Sequence, residues 1–411
     1  MLTGSNPMAV VESALGVVKS TGTLHLLWTP GQYGTKRACE LIKDYFDKKK
    51  AFTTVLARIA LPHENPAEIH TAMQQIAGGL TGKIALNYTS GTKAMSVHAY
   101  MIVAFMYPDA EFHYLRNKQL HVHDRVPTDV VCYSTESTNI QLESVLGIHD
   151  CTVAAATDER PHSLGISVAK AIVELNQTPG GQQQWEDWKK SLPRLKSGHV
   201  DFHKAINWDY VPGGLSSFLG SDWATLPEKA RELRAIGFAP QTTTQQGTGA
   251  FLEARALVDF LRGGWLEVWC SDRARELQRQ QVIKNMGKVH SNVIVNLPGL
   301  ENNAPRQRAE LDIVFTLGTQ LHIISCSADT LYGDLGMTRA KPKVFEVIER
   351  SKQLGGDFAR SALVCLSAHP DSIQNSFNKV KHQESFKVFG IADLKDLDKA
   401  LLSWLEGHKN L

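Results

Sequence analysis

The sequence has little of what would place it at once in a narrow class of proteins. Its 411 residues include six cysteines and no Cys-x-x-Cys pair, a pattern unlike that of zinc sites or disulfide frameworks. It has no run of about eighteen apolar residues, and no basic region followed by an apolar stretch at its start. These absences predict a protein of the reducing cytoplasm that does not span a membrane.

The chain also lacks an excess of charge of either sign. It contains 44 Lys and Arg residues against 42 Asp and Glu residues. A binding site for a polyanion must therefore come from locally clustered residues, because the overall field of the protein is weak. A length of 411 residues suits two or three domains better than a single core.

Short apolar runs alternate with amphipathic segments through the first part of the chain. The pattern predicts strands at 23–28, 52–57, 84–88 and 111–115, and helices at 35–46 and 66–77. Such alternation is typical of an α/β fold with a mostly parallel sheet and helices on both faces. Sheets of this kind bind ligands at the carboxyl ends of their strands.

One turn at the end of a predicted strand is the best single clue to function. Its sequence is Asn87-Tyr-Thr-Ser-Gly-Thr-Lys93, and a helix is predicted to follow directly. The turn offers three hydroxyls, a glycine that lets backbone approach a ligand, a lysine, and the unpaired N–H groups of a helix start. These features suit a phosphate or a nucleotide.

Two other observations bear on this turn. It lacks the paired glycines of a Walker A loop, so nucleoside triphosphate hydrolysis is not implied. Gly, Ser and Thr also begin helices in many α/β proteins, so a plain helix start is an alternative for the turn taken alone.

A second polar loop, Thr29-Pro-Gly-Gln-Tyr-Gly-Thr35, is predicted at the same edge of the sheet.

The middle and the end of the chain have different patterns. Residues 151–249 combine two predicted helices, at 165–176 and 184–191, with Pro-, Gly- and Gln-rich stretches typical of linkers or surface loops. From residue 250 a second α/β unit is predicted. It has helices at 250–261, 265–280 and 343–354, and strands at 289–297, 309–315, 321–326 and 361–366.

The second α/β unit carries part of a phosphodiesterase pattern. Metal-dependent nucleases often use an Asp on one strand and a Glu-x-Lys on the next, with the carboxylates holding Mg²⁺ or Mn²⁺. Asp312, preceded by Glu310, is correctly placed on the first strand of a predicted hairpin, and Glu267 lies on an upstream helix. The positions of the Glu and the Lys are filled by Ser325 and Ser327. Isolated acidic residues of this kind are usually solvated surface charges, which is the alternative to a site.

Taken together, the ordered motifs resemble the two-domain ancillary effectors of type III CRISPR defence, which join a CARF sensor to a PD-(D/E)xK nuclease. The resemblance rests on five segments, at 87–93, 264–267, 310–312, 323–327 and 355–364. It implies a Rossmann-like CARF domain at 1–150, a mostly helical connecting region at 151–249, and a restriction-endonuclease-like α/β domain at 250–411.

The resemblance also implies a ligand. Paired sensor domains of a homodimer would bind one cyclic oligoadenylate, most often the tetra-adenylate, as the activating ligand. Ser90 stands where the family usually has the first of two glycines. The residues that the resemblance assigns to ligand binding are Thr29, Pro30, Gln32, Asn87, Thr89, Ser90, Gly91, Thr92 and Lys93.

The nuclease half departs from the family pattern, and three outcomes stay open. With Ser325 and Ser327 in place of Glu and Lys, the aligned site predicts a nuclease-like domain of impaired activity. Alternatively, Lys341 or Lys343 reaches back into the site, and the domain cuts DNA or RNA with Mg²⁺ or Mn²⁺ held by Asp312 and Glu267. In the third outcome the sensor domain cleaves its own cyclic ligand.

Overall fold

The structure is a computed structural model of the chain. It describes residues 1–4, 6–31, 34–116, 119–124, 130–134, 139–161, 163–191, 259–298, 307–328, 333–377 and 385–407. Gln32, which the sequence assigns to the ligand site, lies outside these residues, as do most of the segments predicted as linkers and most of the helix predicted at 250–261.

The N-terminal part alternates helices and strands, as the sequence predicts for an α/β fold. Its elements are α1 (Pro7–Val17), β1 (Thr23–Leu26), α2 (Lys36–Lys49), β2 (Thr53–Leu56), α3 (Pro66–Ala77), β3 (Ala85–Asn87), α4 (Lys93–Met106), β4 (Glu111–Arg116), β5 (Gln119–His123), β6 (Val131–Ser134) and α5 (Leu142–Ile148). Helix α3 has the predicted bounds. Asn65 begins it by accepting hydrogen bonds from Ala67 N and Glu68 N, a typical N-cap that precedes a proline.

The first residues of the chain join two small sheets into one. Strand β1 is parallel to β2, and β3, β4, β5 and β6 form a separate ladder. Leu2 makes a parallel bridge with Leu27, and its N–H donates to Asn87 O at 3.1 Å. The resulting order is β2, β1, residues 1–3, β3, β4, β5, β6. In this doubly wound arrangement the topology switches between residues 1–3 and β3, where such folds bind ligands.

The C-terminal part is built on a six-stranded sheet. Its elements are β7 (Thr152–Thr157), α6 (Ser163–Gln177), α7 (Gly181–Ser191), a π-helical turn (Phe260–Gly264), α8 (Trp265–Arg279), β8 (His290–Asn296), β9 (Arg308–Leu317), β10 (Gln320–Ser327), α9 (Gly333–Gly355), β11 (Arg360–Cys365), α10 (Pro370–Phe377), β12 (Phe386–Phe389) and α11 (Leu397–Gly407). Strands β7 to β10 are antiparallel neighbours, and β10, β11 and β12 are parallel. The predicted hairpin joins β9 to β10 at Gly318.

The residues just after 151 are part of this second unit, which differs from the expected connecting region. Strand β7 forms the edge of the six-stranded sheet. Trp185 and Trp188 of α7 are buried in the same hydrophobic core as Trp265 of α8. The alanine-rich sequence of β7 carries little strand signal, so the pattern did not reveal it. We propose that the C-terminal domain begins near Cys151.

Helix α1 lies between the two sheets. Every residue from Pro7 to Ala14 is buried. Met8, Val10 and Val11 belong to one hydrophobic cluster with residues of β9 and β10, so the two parts share a core. Within the part of the chain that the structure describes, no helix is long and apolar enough to cross a membrane.

Candidate functional site

The turn predicted to bind an anion lies at the topological switch point of the N-terminal sheet. It joins β3 to α4, and Gly91 has φ +94°, a conformation that favours glycine. Thr92 is the N-cap of α4, because its Oγ1 accepts from Met95 N at 3.2 Å. Gly91, Thr92 and Lys93 are exposed. The turn therefore presents a helix N-terminus and a lysine to solvent, as expected for an anion site.

The hydroxyls of the turn have structural partners, which the sequence did not predict. Thr89 Oγ1 accepts from Leu115 N at 2.8 Å, and Thr92 Oγ1 donates to His63 O at 2.8 Å. Ser90 is buried, and its Oγ donates to Asn6 O at 3.4 Å. These bonds tie the turn to its neighbours, so backbone N–H groups and Lys93 are the groups best placed for a ligand.

The side chain of Asn87 holds the turn through a hydrogen bond to its backbone. It is 1% exposed, and its Oδ1 accepts from Thr89 N at 3.1 Å. Its Nδ2 is buried and has no hydrogen-bond partner among the residues described. A buried amide that still has donors free is uncommon, and it is the kind of group that a ligand or an ordered water satisfies.

Gly4 and Asn6 line this site, and the sequence interpretation missed them. A Cβ atom at Gly4 would lie 2.5 Å from Gly91 N, so the two backbones touch. Asn6 is the N-cap of α1, yet its side chain makes no capping bond. The Asn6-Pro7 pair before an apolar run is a helix-start signal that would have indicated this position.

Thr29 and Pro30, which follow β1, lie one strand away from the turn. Residues 1–3 pair between β1 and β3, so Gly4 and Asn6 lie between Thr29 and the turn. Thr29 is buried and bound to Thr35, which donates its backbone N–H to Thr29 Oγ1 at 3.1 Å. Thr29 and Pro30 therefore lie at the predicted edge of the sheet, and their place beside the ligand stays a prediction.

In the C-terminal part, Asp312 lies where β9 and β10 separate. The last paired residues of this ladder are Ile313 and Ile324. Beyond them, Asp312 Oδ2 accepts from Cys326 N at 2.6 Å and from Ser325 Oγ at 3.2 Å. Burial raises the pKa of Asp312, and these two hydrogen bonds oppose the rise. Asp312 thus caps the backbone of the neighbouring strand.

Glu267, in the first turn of α8, is close enough to interact electrostatically with Asp312. Burial, followed by the charges of Asp312 and Glu310, raises the pKa of Glu267 to about 8. At neutral pH the carboxyl group therefore holds its proton, since two neighbouring carboxylates in a poorly solvated site do not both ionise. The structure brings Glu267, Asp312 and Glu310 together as the motif predicts, with Glu310 exposed.

Lys343 acts electrostatically on both carboxyl groups of this pair. Its charge lowers the pKa of Glu267 and that of Asp312, so it lies within range of both carboxyl groups. It projects from α9, which packs beside β10 and β11. Lys341, two residues earlier, is also exposed but does not contribute to either shift. Of the two lysines that the sequence offered, the structure favours Lys343.

Ser325 and Ser327 do not supply the carboxylate and the cation that the nuclease motif has at these positions. Ser325 donates to Asp312, and Ser327 is 5% exposed. Between them, the Cys326 thiol lies against Cys270, and burial raises its pKa well above the usual range, which does not suit a nucleophile.

Glu267 and Asp312 would serve as ligands of a divalent ion only once both are ionised. Across the described ranges, no group of three or more His, Cys, Asp or Glu side chains is arranged to hold a metal. One of these two half-buried carboxyl groups keeps its proton near neutral pH, and the other accepts a hydrogen bond from Cys326 N. The site is a proton-holding carboxyl pair beside Lys343, and a divalent ion bound there would displace that proton.

Comparisons with known proteins agree with this two-part organisation. A family profile described as "Card1-like, endonuclease domain" matches residues 254–407. No curated protein matches the chain.

Two solved structures match almost the whole chain. Protein VC1899 from Vibrio cholerae is 17% identical with a TM-score of 0.63, over 99% of this chain and 97% of that one. Can2 from Sulfobacillus thermosulfidooxidans, solved in complex with cyclic tetra-adenylate, is 14% identical with a TM-score of 0.65, over 98% of each chain. At these identities the likeness shows the fold. Together with the family profile, it confirms the resemblance to CARF–nuclease effectors that the sequence motifs indicated.

Proposed function

We propose that this chain, which has the fold of Can2 and a Card1-like endonuclease domain at 254–407, is a cyclic-oligoadenylate sensor of antiviral CRISPR defence. Its ligand, most simply cyclic tetra-adenylate, binds at the switch point of the N-terminal sheet. Binding is coupled to a nuclease-like domain whose catalytic motif is degenerate. The six cysteines are free thiols, in keeping with a cytoplasmic protein.

The observation that carries this proposal is the exposed N-terminus of α4 at the switch point. Lys93 supplies a positive charge there, and the first turn of α4 supplies N–H groups that have no acceptor within the helix. Because the whole chain has nearly equal numbers of positive and negative residues, this local arrangement must provide the attraction for a polyanion. Can2, of the same fold, has been solved with cyclic tetra-adenylate.

We further propose that two chains share one ligand through α4. Val97, Met101 and Phe105 are 55%, 56% and 78% exposed and follow Lys93 at intervals of four residues. This spacing places all four on one face of the helix. A second copy of the chain packed on this apolar stripe would bring two Lys93 side chains toward the same ring and would cover the stripe.

For the C-terminal domain the first candidate is a nuclease-like module that binds nucleic acid without cutting it. Ser325 and Ser327 cannot replace a carboxylate or a cation. A second candidate, a variant DNA or RNA nuclease, is favoured by one observation: the charge of Lys343 reaches both Glu267 and Asp312. In that case Lys343 takes the place of the strand lysine.

One experiment separates these candidates. The full chain is incubated with Mg²⁺ or Mn²⁺, with labelled single-stranded and duplex DNA and RNA, and with or without cyclic tetra-adenylate, while the ring is followed by chromatography. Variants Asp312→Ala, Lys343→Met and Lys93→Ala are assayed in parallel. Lys341→Met is the matched control, since it removes a neighbouring exposed lysine that does not act on the carboxyl pair.

Each candidate predicts a different result. Ligand-dependent cutting that is lost in Asp312→Ala and Lys343→Met, but kept in Lys341→Met, identifies the variant nuclease. Nucleic-acid binding without cutting identifies the non-cleaving module, and the double variant Ser325→Glu, Ser327→Lys should then gain activity. Ring loss that survives Asp312→Ala but not Lys93→Ala identifies cleavage of the ligand by the sensor domain. No binding of cyclic tri-, tetra- or hexa-adenylate would refute the sensor function itself.

A further inference from the structure

We propose that α1 transmits ligand occupancy from the Thr89–Lys93 turn to strands β9 and β10, and that the buried hydrogen bond between Glu12 and Thr319 fixes the far end of this connection. The inference rests on the proposed function, since it assigns the regulation of the same ligand site. It makes Glu12 and Thr319 positioning residues that contact neither the ligand nor the carboxyl pair.

The near end of the connection is in direct contact with the ligand turn. Gly4 leaves no room for a Cβ against Gly91 N, and Ser90 Oγ donates to Asn6 O at 3.4 Å. Asn6 is the residue from which α1 begins. A ligand held by the Gly91 turn and the start of α4 therefore cannot shift the turn without displacing the backbone just before α1.

Helix α1 is suited to act as one body. It has 11 residues, which makes it about 16 Å long. Because the side chains from Pro7 to Ala14 are all buried, it is held between layers and does not bend freely toward solvent. Its apolar residues share a cluster with Val314 of β9 and with Leu321 and Ile323 of β10. A movement at the start of α1 would therefore displace these two strands.

The far end is a polar contact inside this apolar interface. Glu12 is 2% exposed and Thr319 is 5% exposed, and Thr319 Oγ1 donates to Glu12 Oε2 at 2.8 Å. A buried acidic side chain is costly without donors, so it fixes the position of the group that supplies them. Thr319 lies at the tip of the hairpin, beside Gly318 with φ +63°. The two strands of this hairpin carry Asp312 and Ser325.

A second contact joins the start of α1 to the C-terminal end of the helix that carries Lys343. A Cβ at Gly356 would lie 3.3 Å from Asn6 Oδ1 and 3.0 Å from His149 Cε1, so this backbone packs closely on the start of α1. Gly356 has φ +66° and follows α9, the helix that carries Lys343. Thus α1 contacts both the strands that hold Asp312 and the end of the helix that supplies the cation.

The contacts of α1 do not by themselves couple ligand binding to the hairpin. The ligand must favour one arrangement of α1 by differential affinity, and the coupling must then act equally in both directions. Loss of the bond at the far end should therefore uncouple the hairpin from the ligand while leaving the contacts of the ligand turn in place.

Hydrogen exchange on the full chain tests this directly. Exchange is followed by mass spectrometry with and without cyclic tetra-adenylate in the wild type and in Thr319→Val, which removes the donor at constant size. Thr319→Ser keeps the hydroxyl, and Glu12→Gln keeps an acceptor without the charge. Thr316→Val is the matched control, because Thr316 is a buried threonine of the same hairpin, 2% exposed, outside the contact with Glu12.

In the wild type we expect the ligand to slow exchange in residues 88–92 and in the hairpin around 316–321, by roughly tenfold in the hairpin. In Thr319→Val the ligand should still slow exchange in the turn. In the hairpin it should slow exchange by less than about twofold. Thr319→Ser and Thr316→Val should respond as the wild type does, and Glu12→Gln should give an intermediate hairpin response.

Two results would overturn the inference while leaving the sensor function intact. One is a wild-type turn that responds to the ligand while the hairpin does not. The other is a Thr319→Val hairpin that responds as strongly as that of Thr316→Val. If neither the turn nor the hairpin responds and calorimetry detects no binding of any ring, it is the sensor function that fails.

Discussion

Replacing Glu267 with glutamine should make the protein more stable in alkaline solution and remove part of its pH dependence. Burial, together with the charges of Asp312 and Glu310, raises the pKa of Glu267 to about 8, against a usual value of 4.5. The folded protein therefore prefers the neutral carboxyl group. Glutamine has nearly the same shape and is neutral at every pH.

The sign and the size of the effect follow from this difference. The stability contributed by a group whose pKa is raised on folding is complete below its unfolded value, near pH 4.5, and is lost as the pH rises toward 8. At about 1.4 kcal/mol per pKa unit, the loss is at most about 5 kcal/mol. Residual solvent access and the coupling to Asp312 reduce it, so we expect about 2–4 kcal/mol between pH 5 and pH 9.

The assay is urea unfolding of the full chain in EDTA at pH 5, 7 and 9. Glu276→Gln on the same helix is the control, because the hydrogen bond from Arg279 is the main cause that lowers the pKa of Glu276 to about 2. Its contribution should be constant over this pH range. Stability curves of the wild type and Glu267→Gln that run parallel from pH 5 to pH 9 would show that the pKa of Glu267 is not raised on folding.

Two further predictions concern the sensor half. In calorimetry, Gly4→Ala should weaken binding of cyclic tetra-adenylate by at least about tenfold, because its Cβ would meet Gly91 N at 2.5 Å. The control Gly147→Ala, which has open space around it, should bind normally. Phe105→Glu should turn a dimer into a monomer in sedimentation experiments, while Val282→Glu, at another exposed apolar position, should not; a Phe105→Glu dimer would exclude the α4 stripe as the interface.

Much of the fold was predictable because its elements have strong local signals. Helix α3 has an N-cap, a proline and a regular apolar face, and its predicted bounds agree with the structure. The strand at residues 1–3 was missed, since three residues are too few for a pattern to register. Strand β7 was missed because its three consecutive alanines, at 154–156, carry little strand signal. Both become strands through pairing with distant parts of the chain, which a local pattern does not contain.

The sequence indicated which residues form the candidate sites, but it indicated less about how these residues are arranged. The turn at 89–93 and the pair Glu267 and Asp312 were found by motif; the turn follows β3, Asp312 lies on β9 and Glu267 lies on α8. The sequence did not indicate that Asp312 caps Cys326 N, or that Lys343 is the lysine within range of the carboxyl pair. Those facts depend on where β9 and β10 separate and on how α9 packs against them, which are tertiary features.

The most direct test of the sensor function is a calorimetric titration of the full chain with cyclic tri-, tetra- and hexa-adenylate. One ring, most simply the tetra-adenylate, should saturate at one ring per two chains, and Lys93→Ala should weaken its binding by at least about tenfold. Lys170→Ala, which removes an exposed lysine from α6, should leave binding unchanged. Absence of binding by all three rings, or equal affinity in the wild type and Lys93→Ala, would contradict this prediction.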